Sequence, residues 1–261
     1  MKVVILAGGY GTRIAEESHL RPKPMIEIGG QPILWHIMKI YSHYGLTDFI
    51  ICVGYKGEII QDYFANYFRR MSDFTVDLES NTLQFHNSRV ERWRVTVAQT
   101  GLQTMTGGRI RRIAPYLTPG EPFCLTYGDG VADIDISKLL AFHKKSGLEA
   151  TLTVVEPPAR FGATELENGR VVEFKEKRGI EGSYINGGFF VLETSVLDRI
   201  EADETSWETE PLESLAADGQ LGAYVHRGFW QPMDTMRDRR DLESAWKGGQ
   251  APWKVWDGGS S

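Results

Sequence analysis

The sequence predicts an α/β protein. Its sheet is Rossmann-like, mixed and mostly parallel, flanked by helices, with β-hairpins inserted near 70–100 and 160–185. Three observations predict it. Short runs such as Val3–Leu6 and Phe49–Val53 are continuously apolar, as strands covered on both faces are. Segments with helical spacing alternate with such runs through the first seventy residues. Two later stretches replace that rhythm with polar/apolar alternation around turn residues.

The elements follow in order. Val3–Leu6 runs into Gly8-Gly9-Tyr10-Gly11. Ile33, Ile37, Ile40, Tyr41 and Tyr44 share one helical face, with Pro32 in the first turn and Gly45 as the stop. Phe49–Val53 is the next strand, and a helix is expected around Glu58–Arg69. "TVDLESNTLQFH" reads as a hairpin turning near Ser80-Asn81, and "RVTVAQT" as a strand. A helix follows the glycines of "TGGRIRRIAPYL". "PFCLTYGDG" is a strand ending in a turn with an acid at its tip. Asp135–Ser146 is helical and "EATLTVVE" extended. "ATELENGRVVEFKEK" reads as a second hairpin, turning at Asn168-Gly169, and "YINGGFFVLE" returns to the core. Short helices over Thr194–Ala202 and Glu210–Asp218 precede a late strand, "LGAYVHRGFWQPMDT", and a helix from about Thr235 to Trp246. No internal repeat or low-complexity linker divides the chain. A single domain over 1–257 with a tail at 258–261 is expected.

Composition narrows the functional classes. The chain has 261 residues, 41% of them hydrophobic, enough for a sizeable core. Its net charge of −6 argues against a nucleic-acid partner, and no polybasic run suggests a membrane surface. No apolar segment has the length needed to span a bilayer. Cys52 and Cys124 both lie in apolar stretches and read as reduced core residues of a cytoplasmic protein. His36 and His43 lie on one helix and read as structural or exposed. No Ser/His/Asp or Cys/His arrangement is present.

What remains is an anion site. Glycines after a strand let the backbone approach a ligand and expose consecutive N–H groups to phosphate oxygens. The spacing G-G-x-G-T-R is neither the dinucleotide fingerprint nor a Walker loop, which disfavours a dehydrogenase; a plain turn is the alternative. Arg13 adds a planar fork for phosphate, and Lys23 a point charge framed by Pro22 and Pro24. Asp129 follows an apolar strand, where α/β sheets place their ligands, and a carboxylate beside phosphates suits Mg²⁺; an Asx turn is the plainer account. Asp234 ends another strand, with a helix N-cap as its plainer role. Asp133 and Asp135 read as the start of the next helix. The alternating charges of "EFKEK" mark either an exposed hairpin face or a site. Asn186-Gly187-Gly188 interrupts an apolar strand, as a bulge or close ligand does, and Asn186 suits a sugar hydroxyl.

"LAGGYGTR" followed by "RPKPM" resembles the signature of the sugar-1-phosphate nucleotidyltransferases. "MTGGRI", "TYGDGVAD", "INGGFFV", "GFWQPMDT" and "APWKVW" extend the likeness over nearly the whole chain. Two departures stand out. Ile14 replaces the signature leucine, a volume-conserving change. Arg178 follows Lys177 where relatives carry proline. The resemblance implies transfer of a cytidylyl group from CTP to glucose 1-phosphate, giving CDP-glucose and pyrophosphate, with Mg²⁺. Thymidylyl, uridylyl or guanylyl transfer to another hexose 1-phosphate is the neighbouring alternative, decided by the base-facing segment Gln103–Arg109. A non-catalytic sugar-nucleotide regulator on the same fold is another. By resemblance, Leu6, Ala7, Gly8, Gly9, Tyr10, Gly11, Thr12 and Arg13 hold the nucleotide, with Lys23, Thr104, Arg109 and Gly128. Arg13, Lys23 and Lys177 are the catalytic set. Glu176, Lys177 and Asn186 face the sugar phosphate, and Asp129 and Asp234 hold Mg²⁺. It further implies a homo-oligomer, a hexamer, and a product that feeds surface polysaccharide synthesis such as O-antigen. Two structural expectations follow from the residues. Lys23, in a polar loop, should be dispensable for folding. Trp246, Trp253 and Trp256 should pack on the core or on a neighbouring subunit.

Overall fold

In the computed structural model, residues 1–157, 163–167, 170–175 and 184–257 are described. Seven strands make the central sheet: β1 (Val3–Ala7), β2 (Asp48–Val53), β3 (Arg94–Gln99), β4 (Phe123–Tyr127), β5 (Ala150–Val155), β6 (Ile185–Leu192) and β7 (Leu221–His226). Their order is β7-β5-β6-β4-β1-β2-β3. Every neighbouring pair is parallel except those of β6, which runs antiparallel to β4 and β5.

Successive side chains of β1 leave on opposite faces, so Val3, Ile5 and Ala7 join one core and Val4 and Leu6 the other. The first core is covered by helix Ile33–His43, the second by Ile110, Ile113, Trp207 and Leu215. This is why β1 reads as an unbroken apolar run. Each fully buried aliphatic side chain there contributes roughly 1.5–3 kcal/mol.

Local signals act as expected at several ends. Helix Ile33–His43 starts after Pro32 and stops before Gly45, which takes a φ of +80° and donates to Ser42 O at 2.9 Å. Asp135 caps helix Ile136–Ser146 by accepting from the Lys138 N–H at 3.0 Å. The first hairpin pairs Ser72–Asp77 with Thr82–Ser88, and its turn uses Asn81 at φ +52°. Strands Ala163–Glu167 and Arg170–Lys175 form the second; the turn at 168–169 lies outside the described residues.

Three expectations change. The helix expected around Glu58–Arg69 is two pieces, Gly57–Ala65 and Tyr67–Arg70, broken at Asn66, whose ψ of 4° is not helical. The helix expected over Thr194–Ala202 is a 3₁₀ segment, Thr194–Arg199. The late strand is also two. β7 stays in the main sheet, while Trp230–Pro232 leaves it and pairs antiparallel with Gly130–Ala132. That small ribbon carries residues 229–234 back beside the end of β4.

The C-terminal tryptophans pack inside the chain. Trp246, Trp253 and Trp256 surround the His36 ring, with centroids 4.7, 6.2 and 6.2 Å away. His36 is fully buried, and burial lowers its pKa to about 4. The neutral ring donates from Nε2 to Ile28 O at 2.8 Å and accepts at Nδ1 from the Trp253 indole at 3.4 Å. Cys52 and Cys124 are buried thiols, and burial pushes both up to about 12.

Candidate active site

The sheet order reverses beside β1: β2 and β3 lie to one side of it, β4 to the other. Loops leaving the carboxyl ends of β1 and β4 diverge there and open a crevice, the usual ligand position in such sheets. A cavity of about 600 Å³ occupies it. Its wall includes Leu6, Ala7, Gly8, Gly9, Tyr10, Gly11 and Thr12 from the first loop, Lys23, Thr104 and Arg109, and Gly128 and Asp129 after β4. The residues that the sequence assigns to nucleotide binding thus line one space, apart from Arg13, whose side chain lies outside the description.

The glycine loop has its shape for local reasons. Gly11 takes a φ of +64°, a conformation open to glycine, and the chain then turns into the 3₁₀ segment Thr12–Ile14. A Cβ on Gly8 would run into the Arg109 guanidinium. That guanidinium is held by three backbone carbonyls and one side chain: it donates to Gly8 O at 3.1 Å, Val53 O at 3.2 Å, Gly101 O at 2.8 Å and Thr100 Oγ1 at 2.8 Å. Arg109 is 4% exposed and fastens the loop. The glycines of "MTGGRI" serve close packing: a Cβ at Gly107 would stand 2.7 Å from Thr205 O, and one at Gly108 would strike the Asp203 backbone. This draws segment 203–208 against the cavity wall.

At the floor, Lys23 Nζ lies 2.6 Å from Asp129 Oδ2 and 2.7 Å from Asp234 Oδ1. Lys23 is 9% exposed, because the Pro22-Lys23-Pro24 frame turns the side chain inward, and its pairing with two carboxylates bears against the expectation that it is dispensable for folding. Burial alone would lower its pKa, but the Asp129 and Asp234 carboxylates outweigh burial and hold it above 10.5. The plainer role for Asp234 is also set aside. Thr235 is the N-cap of helix Met236–Lys247, in a capping box with Asp238, which leaves the Asp234 carboxylate for Lys23. Met233 N–H donates to Asp129 O at 2.8 Å and clamps the two aspartate segments together.

A second cavity, of about 260 Å³, shares Tyr127, Asp129 and Asp234 with the first and adds Asn186, Gly188 and Trp230. Here β6 bulges. Its register against β5 shifts between Leu152 and Val154, and Gly188 takes a φ of +79°. The bulge presents Asn186 to the cavity. Glu176 and Lys177 lie outside the described residues. Sequence reasoning passed over Tyr127, which borders both cavities, and Glu208, which holds it. Tyr127 is flagged by its place just before Gly128-Asp129; nothing in the sequence flags Glu208.

Two cavities meeting at paired carboxylates around one cation, under a glycine loop at the switch point, describe a nucleotide-handling α/β enzyme. The chain belongs to the nucleotidyl transferase family, whose model matches residues 2–241. It is 57% identical over 257 residues to a Salmonella typhi protein named glucose-1-phosphate cytidylyltransferase, covering 98% of this chain and 100% of that one. A Bacillus subtilis (strain 168) protein named "probable glucose-1-phosphate cytidylyltransferase" is 44% identical, with the same coverage. Among solved structures, HddC from Yersinia pseudotuberculosis aligns with a TM-score of 0.69 at 23% identity, over 94% of this chain and 99% of that one. That likeness is one of fold.

Proposed function

We propose that this chain transfers the cytidylyl group of CTP to glucose 1-phosphate, releasing pyrophosphate and forming CDP-glucose. The observation that carries the reading is identity of 57% along 98% of the chain to a protein of that name. The paired cavities support it: the larger suits a nucleotide, the smaller a hexose phosphate, and they meet at Lys23, Asp129 and Asp234. The sugar phosphate oxygen attacks the α-phosphorus in line and pyrophosphate departs on the opposite side. The chain's task is placement and charge balance rather than covalent chemistry.

The glycine loop offers backbone N–H groups to phosphate, and Gln103, Thr104, Met105 and Thr106 face the base. Arg109 keeps the loop in place from behind. Asp129 and Asp234 are the residues that would hold a divalent cation, Mg²⁺ by the hardness of their oxygens. Their fit rests on an observation: they already gather around one cation, the Lys23 ammonium. When bound, Mg²⁺ supplies neutralisation of phosphate charge. Lys23, freed from the carboxylates, is placed to reach the phosphates at the bond that breaks. Arg13 and Lys177 complete the cationic set, and Glu176 and Asn186 the sugar side.

We further infer a homo-oligomer, a hexamer by resemblance. On hairpin 72–88, Phe74, Val76, Leu78, Leu83 and Phe85 are all exposed, apolar surface that a second copy would cover. No helix among the described residues is long and apolar enough to cross a membrane. A cytoplasmic setting fits two free buried thiols and the water-soluble substrates.

The test is direct. The purified protein is incubated with glucose 1-phosphate and each nucleoside triphosphate, with and without Mg²⁺, and products are identified by mass. CDP-glucose formed from CTP in preference to the other nucleotides, and only with metal, is the expected result. Faster formation of a different nucleoside diphosphate sugar, or no pyrophosphate from CTP, overturns it.

A further inference from the structure

The Tyr127 hydroxyl ties the wall of the larger cavity to the bulge beneath the smaller. Its oxygen is 2.7 Å from Glu208 Oε1 and 3.2 Å from Asn186 Nδ2. Glu208 is occupied on its other oxygen as well, by Thr106 Oγ1 at 2.5 Å and Ser206 Oγ at 2.8 Å. Thr106 opens helix Thr106–Arg112, beside the base-facing segment, and its Oγ1 also accepts from the Trp207 N–H at 2.9 Å.

The direction of each hydrogen bond in this chain is determined. An ionised carboxylate only accepts, so Tyr127 gives its single proton to Glu208. The phenol oxygen then meets Asn186 with lone pairs alone, so Asn186 must present an N–H. Independently, Asn186 Oδ1 accepts from the Gly188 N–H at 2.7 Å, which sets the amide the same way round. Two partners therefore agree on the orientation of the amide. After these bonds, Asn186 retains one N–H and the Tyr127 oxygen one lone pair. Both residues line the smaller cavity.

We propose that the remaining Asn186 donor and the remaining Tyr127 acceptor together recognise one hydroxyl group of the hexose ring, and that Glu208 sets the polarity that makes this pair. A hydroxyl donates and accepts at once, so it satisfies both groups; a ring position lacking it leaves both unmet. Tyr127 and Asn186 act as specificity residues. Glu208 is a positioning residue, acting through Tyr127. The inference rests on the reading that the sugar phosphate occupies the smaller cavity.

The experiment crosses enzyme variants with substrate analogues. kcat/KM is measured for glucose 1-phosphate and its 2-, 3-, 4- and 6-deoxy analogues with the wild type, Tyr127→Phe, Glu208→Gln and Glu208→Asp. A site that hydrogen-bonds a hydroxyl rejects the analogue lacking it strongly. The wild type should therefore lose about ten-fold or more on one analogue. Tyr127→Phe should lose a similar factor on glucose 1-phosphate and little more on that same analogue. Glu208→Gln should raise the KM for sugar phosphate and leave the KM for CTP nearly unchanged, because an amide can donate to the phenol and reverse the chain. Glu208→Asp, which keeps the charge, should recover part of the loss. A purely structural role would depress all five substrates by one factor; that result in Tyr127→Phe overturns the assignment. So does a wild type that treats all four analogues like glucose 1-phosphate. Should the wild type form no product from glucose 1-phosphate, the functional reading falls and the assignment with it. Product with uniformly impaired variants removes the assignment alone.

Discussion

Replacing Lys23 with methionine keeps an unbranched stem of similar length and deletes one charge. In the wild type that charge stands 2.6 and 2.7 Å from two carboxylates, with side-chain exposures of 11% for Lys23, 31% for Asp129 and 22% for Asp234. Removing one partner of a buried ion pair costs roughly 3–5 kcal/mol. The aspartates are partly solvated, and one can take up a proton, so the cost is discounted to about 2 kcal/mol. For a chain of this size, that lowers Tm by about 4–8 °C. The assay is a pair of thermal melts, in chelated buffer and with Mg²⁺. A divalent ion can take the vacated place between the carboxylates, so Mg²⁺ should restore most of the Tm of Lys23→Met and stabilise the wild type less. Turnover of CTP should stay depressed by about 100-fold or more even where the melt recovers, because the cation that faces phosphate is still missing. A Tm within about 1 °C of the wild type without metal, or equal stabilisation of both proteins by Mg²⁺, would refute the reasoning.

Asp129→Asn and Asp234→Asn should each lower metal-dependent turnover about as far as the double variant does, since the two act as one unit; losses that multiply independently would contradict this. The neutral, buried His36 makes stability pH-dependent: its folded pKa of about 4 lies below the ordinary 6.5, so protons favour the unfolded chain as pH falls from 6.5 towards 4. Urea unfolding at pH 7 and pH 5 should show about 2 kcal/mol lost at the lower pH, a difference that disappears in His36→Asn. Gly8→Ala should push the Arg109 guanidinium off its backbone partners and reduce kcat/KM for CTP by about 100-fold, through displacement of the loop by an ångström or so. An unchanged kcat/KM would mean that Arg109 swings aside without moving the loop.

Much of this protein was legible in one dimension because its signals are local. Continuous apolar runs mark strands covered on both faces, and β1 is such a strand. Proline before Ile33 and glycine at position 45 bound a helix through the backbone angles they allow. The glycine loop and the Pro-framed Lys23 announce an anion site through residue chemistry alone. The site's internal contacts were not legible, because they join residues far apart in sequence. Asp129 meets Asp234 only because Trp230–Pro232 leaves the main sheet to pair with Gly130–Ala132, a choice made by tertiary packing. Arg109 reads as a ligand-facing cation and does line the larger cavity, but only the fold shows that the carbonyl groups of Gly8, Val53 and Gly101 also hold its guanidinium. Glu208 lies in a segment without a motif; two glycines of another helix, by admitting the 203–205 backbone, bring it to Tyr127. Sequence determines which chemistry a chain carries and where its regular elements begin and end, since those depend on neighbouring residues. Which of those groups face one another, and which are spent holding the fold, depends on long-range packing and is decided only when the sheet closes around them.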